Sequence, residues 1–218
     1  MTTQIKICGF TDPKEAAYIS YPDVSMMGMV LFFPKSKRNI SIERAKDIMK
    51  AVDPRIQKVA VVVSPTVDQA IEIEKAGFDY MQVHGTLSED VLKKTSISII
   101  KAFNLGDEQN PSYETNDRIK AYLFDAAEPG SGKSFDWSIL SSMKRTKKWI
   151  LAGGLNAQNV VQAIEIVHPD VVDISSGVEY EDKPGKDPAK IAEFVRAVRS
   201  EKLEVRNEGG EPSHCSYA

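Results

Sequence analysis

Eight short β-rich runs alternate with helical patterns along the 218 residues, and each run ends in a polar or glycine-bearing loop. No G-x-G-x-x-G opens a helix after the first run, as an open dinucleotide-binding sheet usually requires. Together these observations predict an α/β chain of parallel βα units, closed into a single-domain (β/α)8 TIM barrel. The length suits one such barrel, expected over residues 1–202. The polar, glycine-bearing stretch 203–218 reads as a flexible tail.

The elements follow in order. Ile5 and Ile7 alternate with Gln4 and Lys6 in the first strand, and Gly9 breaks it just after Cys8. Thr11-Asp12-Pro13 offers an N-cap followed by a proline suited to the first turn of a helix from Pro13 to Ser20, with Ala16, Ala17 and Ile19 on one side. Met26 to Phe33 is the second strand, and Pro34 to Arg38 a polar loop. Ser41 caps a helix to about Val52. Val59 to Val63 is the third strand, and Ser64-Pro65-Thr66 leads to a helix that Gly77 closes in the left-handed conformation.

Asp79 to Val83 is the fourth strand, followed by His84-Gly85 and a helix begun at Ser88 with Glu89 and Asp90 in its first turn. Ser98 to Phe103 is the fifth, and the polar stretch 104–116 offers only a short helix near Pro111. Ala121 to Phe124 is the sixth and ends at Asp125; a loop with Gly130-Ser131-Gly132 then runs to a helix over Trp137 to Met143. Trp149 to Ala152 is the seventh, followed by Gly153-Gly154 and a helix from Asn156 to Val167. Val171 to Ile174 is the eighth, followed by Ser175-Ser176-Gly177 and a helix from Asp187-Pro188 to about Glu201.

A net charge of -3 lacks the basic excess of a nucleic-acid surface. No apolar run approaches the roughly 18 residues of a membrane span. The N-terminus lacks the apolar stretch of a signal peptide. Cys8 and Cys215 form neither a disulfide framework nor a metal pattern, and no metal-ligand spacing occurs elsewhere. A cytoplasmic protein with a small-molecule partner is expected, binding neither nucleic acid nor membrane.

In a barrel every strand end reaches one rim, where chemistry collects. The rim set is Cys8, the loop of Ser36 to Arg38, His84, Asp125, Gly153-Gly154 and Ser175-Ser176-Gly177. The last two follow strands seven and eight, where glycines and helix N-termini commonly hold phosphate. Arg38 is read either as a fork for a carboxylate or as a solvated arginine beside Lys35 and Lys37. Asp125 is a loop cap or an acid; as a donor at pH 7 its pKa must rise about three units, or roughly 4 kcal/mol. Cys8 is a small buried hydrophobe or a base; an ordinary thiol is only about 3% ionised at pH 7, so it needs a positive neighbour. Lys6, two residues back on the same side of the strand, is one candidate. His84 is a structural residue or a third participant.

As a set, the segments Lys6-Ile7-Cys8-Gly9, Ser36-Lys37-Arg38, Gln82-Val83-His84-Gly85, Phe124-Asp125, Gly132 to Trp137, Leu151 to Asn156 and Asp173 to Glu179 resemble phosphoribosylanthranilate isomerase. They occur in that family's order, one per strand end or loop, from Lys6 to about Phe194. The resemblance implies a cofactor-independent Amadori rearrangement in tryptophan biosynthesis, converting N-(5-phosphoribosyl)anthranilate to 1-(2-carboxyphenylamino)-1-deoxyribulose 5-phosphate. It implies Asp125 as general acid, Cys8 as general base, and Arg38 on the anthranilate carboxylate. The phosphate falls to Gly153, Gly154, Ser175, Ser176 and Gly177, with Lys6 and His84 completing the expected substrate-binding set. A phosphosugar is the implied partner of a monomer or homodimer. Two features depart from the family pattern: Lys37 stands where proline is frequent, and the stretch 126–130 carries less glycine.

Overall fold

The computed structural model describes residues 2–104, 116–125 and 136–208, with side chains as far as residue 200 apart from Ser141 and Ser142. Its strands are β1 (Gln4–Cys8), β2 (Val24–Leu31), β3 (Asn39–Ile40), β4 (Gln57–Val63), β5 (Tyr80–His84), β6 (Ser98–Asn104), β7 (Ile119–Asp125), β8 (Lys148–Leu151) and β9 (Val171–Ile174). They pair in the order β1-β9-β8-β7-β6-β5-β4-β2-β3, and β1 also pairs in parallel with β2. The sheet therefore closes into an eight-strand parallel barrel, with the two-residue β3 as a stub against the end of β2.

Strand alternation sorts the interior into two cores. Ile5 and Ile7 face outward into the large core shared with the helices, whereas Cys8 joins Met26, Val59, Ile100, Leu123 and Ile150 inside the barrel. The helices α1 (Ile42–Ala51), α2 (Val67–Ala76), α3 (Glu89–Lys94), α4 (Val160–Val167) and α5 (Pro188–Glu208) start and stop largely where local chemistry directs. Ser41 accepts from the Arg44 N–H and Ser88 from the Val91 N–H, and Gly77 ends α2 at φ 89°. Buried Ile191, Phe194, Val195 and Val198 fasten α5, each contributing roughly 1.5–3 kcal/mol of transfer free energy.

Several elements differ from the sequence-based expectations. Pro13–Ile19 and Trp137–Ser142 form 3₁₀ rather than α-helix. In the first, Glu15 bends back to accept from the Thr11 and Asp12 N–H groups, tightening a segment of barely two turns. Phe32, at φ 56°, ends β2 two residues early. Asn156 does not begin α4; its side chain accepts from the Gln158 and Asn159 N–H groups in a turn, and the helix starts at Val160. The last helix continues to Glu208, past the expected end near Glu201. Among the described residues, no helix is long and apolar enough to cross a membrane. The helix expected near Pro111, the Gly130-Ser131-Gly132 loop, His214, Cys215 and the tail beyond Glu208 lie outside the described residues.

Candidate active site

A cavity of about 460 Å³ opens at the carboxyl ends of the strands. The sequence-predicted residues Cys8, Arg38, His84, Asp125, Gly153, Gly154, Ser175 and Ser176 all line it. β1 and β7 stand three places apart round the ring, so Cys8 and Asp125 enter one chamber from separate walls. Gly28 is paired with Cys8, and a Cβ there would meet the thiol at 2.6 Å. A bare glycine on β2 is what gives that thiol its room.

Two predicted residues do not reach the cavity. Lys6 is expected as a substrate contact, but it is fully buried inside the barrel and donates to Asp173 Oδ2 at 2.7 Å. An ammonium taken out of water must keep a carboxylate, so this one is committed to the protein. Burial pulls its pKa down, but Asp173 and Cys8 outweigh that and hold Lys6 above its ordinary value. Gly177 is expected on the phosphate but turns toward the protein, where an added Cβ would meet the Leu155 carbonyl at 2.5 Å. Its lack of a side chain lets the loop after β9 pack on the loop after β8.

Cys8 is the only described free cysteine, and it is buried. Burial pushes its thiol pKa up. Lys6, Lys186 and Arg38 oppose that shift, while Asp173 adds to it. The positive neighbour that the sequence requires of Cys8 is thus present in three copies, yet desolvation prevails.

Arg38 is aimed by local contacts. The pairing of Asn39 with Val30 and the bond from the Phe33 N–H to Asn39 Oδ1 (2.7 Å) pin the loop, and Ser36 Oγ accepts from the Arg38 N–H. The Arg38 Nε donates to Glu179 Oε1. The exposed Lys37 reaches the other oxygen of Glu179 at 2.8 Å. Gln82 Nε2 and His84 Nε2 lie 2.9 Å apart on the cavity wall. Two buried acceptors of residues lining that wall, Gln82 Oε1 and Asp173 Oδ1, have no protein partner.

Sequence reasoning does not assign roles to Glu179, Lys186 or Asp173. Asp173 alternates with the apolar residues of its strand, and a charge on the inward face of a buried strand is the one local signal that could have found it. His168, without supporting context in the sequence, ends α4 in the left-handed conformation at φ 49° and does not line the cavity.

A family model described as N-(5'-phosphoribosyl)anthranilate (PRA) isomerase matches residues 5–197. The N-(5'-phosphoribosyl)anthranilate isomerase of Listeria monocytogenes serotype 4a (strain HCC23) is 39% identical over 202 residues, covering 89% of this chain and 98% of that one. A phosphoribosyl anthranilate isomerase solved in complex with reduced 1-(o-carboxyphenylamino)-1-deoxyribulose 5-phosphate superposes with a TM-score of 0.76 at 31% identity, covering 91% of this chain and 100% of the other. Monomers generated from the dimeric phosphoribosylanthranilate isomerase of Thermotoga maritima give a TM-score of 0.75 at 30% identity, over 91% and 99% of the two chains. On the match of nearly its whole length to the family model and to relatives above 30% identity, the chain belongs to the N-(5'-phosphoribosyl)anthranilate isomerase family.

Proposed function

We propose that Cys8 and Asp125 are the base and acid with which this chain carries out the reaction of its family. Family membership makes the chain an isomerase of tryptophan biosynthesis. The observation that carries the assignment of roles is the shared cavity: a thiol and a carboxyl group on separate walls of one chamber, with Arg38, Gly153-Gly154 and Ser175-Ser176 also lining it. Asp125 donates a proton to the ribose ring oxygen of N-(5-phosphoribosyl)anthranilate as the bond from that oxygen to C1 breaks and the anthranilate nitrogen forms a Schiff base. Cys8, as thiolate, then takes the proton from C2, and those electrons form the enolamine. Tautomerisation returns a proton to C1 and leaves the ketone of 1-(2-carboxyphenylamino)-1-deoxyribulose 5-phosphate.

Arg38 keeps both of its Nη groups for the anthranilate carboxylate, because Glu179 takes only the Nε. Gly153, Gly154, Ser175 and Ser176 line the cavity where the phosphate would lie, after the seventh and eighth barrel strands. Gly177 supports that loop without lining the cavity, and Lys6 serves Cys8 electrostatically rather than touching substrate. Gln82 Oε1 and Asp173 Oδ1 are placed to accept from sugar hydroxyls, with His84 beside them. The chain would act in the cytoplasm as a monomer or homodimer.

The decay of phosphoribosylanthranilate fluorescence, with and without the protein, tests the reaction. Cys8→Ser and Asp125→Asn are each expected to lower kcat by about 10²–10⁴-fold, the usual contribution of one acid or base. Titration calorimetry should still find the reduced product analogue bound by both variants. Near-normal turnover in either would remove that residue from its role.

A further inference from the structure

The chain between β9 and α5 makes an excursion that neither the acid–base pair nor the phosphate loop accounts for. Glu179 and Lys186 pair as an antiparallel bridge, and the Tyr180 N–H donates to the Gly185 carbonyl, so 179–186 is a small hairpin. Its base returns two charged side chains to the rim. The Lys186 side chain is fully buried, and its Nζ donates to the Ser175 carbonyl at 3.0 Å and to Glu179 Oε1 at 3.2 Å. Glu179 Oε1 also accepts from the Arg38 Nε. Ser175 in turn donates from Oγ to the Cys8 carbonyl at 2.9 Å. A Cβ on Gly9 would meet Arg38 Cδ at 2.5 Å and Ser175 Oγ at 3.0 Å, so these parts already sit in contact.

The hairpin is itself anchored. The Lys186 N–H donates to Glu15 Oε1 at 2.7 Å, and Glu15 Oε2 accepts from the Thr11 and Asp12 N–H groups. The loop after the first strand and the hairpin after the last are thus one body.

From this arrangement we infer that Glu179, backed by the buried Lys186, is the positioning residue that turns the Arg38 fork toward the substrate carboxylate. The inference rests on the reading that Arg38 holds that carboxylate. One carboxylate shared among Lys37, Arg38 and Lys186 fixes the arginine through Nε alone while leaving the cluster with surplus positive charge. A planar guanidinium anchored at Nε has its two Nη groups presented together, as bidentate binding needs. Glu179 stays ionised throughout the working range: despite burial, Arg38, Lys186 and Lys37 hold its pKa down at about 2.

The test pairs the wild type and one variant with two substrates, N-(5-phosphoribosyl)anthranilate and the same compound with aniline in place of anthranilate. Wild-type turnover of the first comes before the variant and decides the parent reading by itself; its absence would overturn the family reaction here, not the role of the hairpin. In that event the same comparison is made by calorimetry with the reduced product analogue and its decarboxylated counterpart. Glu179→Gln is expected to raise KM for the carboxylated substrate about 10-fold or more, the loss of one charge-assisted contact, with kcat within about threefold. On the aniline substrate the same variant should match the wild type within about twofold, since nothing remains for the arginine to grip. Equal losses on both substrates, or none on either, would overturn the positioning role. So would failure of the near-isosteric Glu179→Gln chain to fold, checked by circular dichroism, because the pair would then be a structural clamp.

Discussion

At Cys8 the chemistry depends on an absence next door. Because a Cβ on Gly28 would stand 2.6 Å from the thiol, Gly28→Ala must displace it or the strand beneath it. A misplacement near 1 Å typically costs about 100-fold in rate. We therefore expect kcat to fall by about that factor while thermal unfolding stays cooperative, read by fluorescence decay and a melting curve. Protonation sets the second expectation at this scale. Burial raises the thiol pKa, so the thiolate is a minority at neutral pH and grows as pH rises. In Asp125→Asn, where the opposing titration of the acid is removed, the residual kcat/KM on the acid side of that pKa should climb about tenfold per pH unit, and a profile of that variant flat from about pH 6 to 8 would contradict Cys8 as the base. The placement of Cys8 at a strand end was legible because Gly9 breaks a two-residue alternation there. The burial that governs its acidity was not, since it comes from strands far along the chain.

The hairpin of residues 179–186 gives an expectation at the scale of an element. Its Glu179 has a carboxyl pKa lowered to about 2 from the ordinary 4.5. A lowered pKa means the ionised form is favoured by folding, so its stabilisation is complete above about pH 4.5 and is lost as pH falls toward 2. Urea unfolding of wild type and Glu179→Gln should therefore differ most at about pH 6, with the gap narrowing steadily as pH falls from about 4.5 toward 2. A gap that widened on acidification would contradict the ion-paired cluster. Elements with local punctuation were readable in advance: Ser41, Ser88 and Gly77 each bond to backbone within four residues. The stub at Asn39–Ile40 was not, because two residues show no period and their partner is β2. Glu179 and Lys186 escaped for the same reason, their partners Arg38 and Glu15 being 141 and 171 positions away.

For the whole molecule, closure of the ring falls on the seam between β1 and β9. Lys6 meets Asp173, Ser175 meets the Cys8 carbonyl, and Thr3 donates to the Pro169 carbonyl at 3.0 Å. Lys6→Met would leave Asp173 buried without its cation, which typically costs about 3–5 kcal/mol. Denaturant titration should show that loss, and a variant of unchanged midpoint would mean the pair contributes little. The alternation of eight strands with helices made the barrel legible, since that pattern repeats along the whole chain. Which inward charges neutralise one another at the seam becomes visible only once the ring has closed. On the ribosome, the first strand emerges with an ammonium whose counterion is still untranslated, so the nascent chain holds no finished catalytic chamber until nearly all of it has been made.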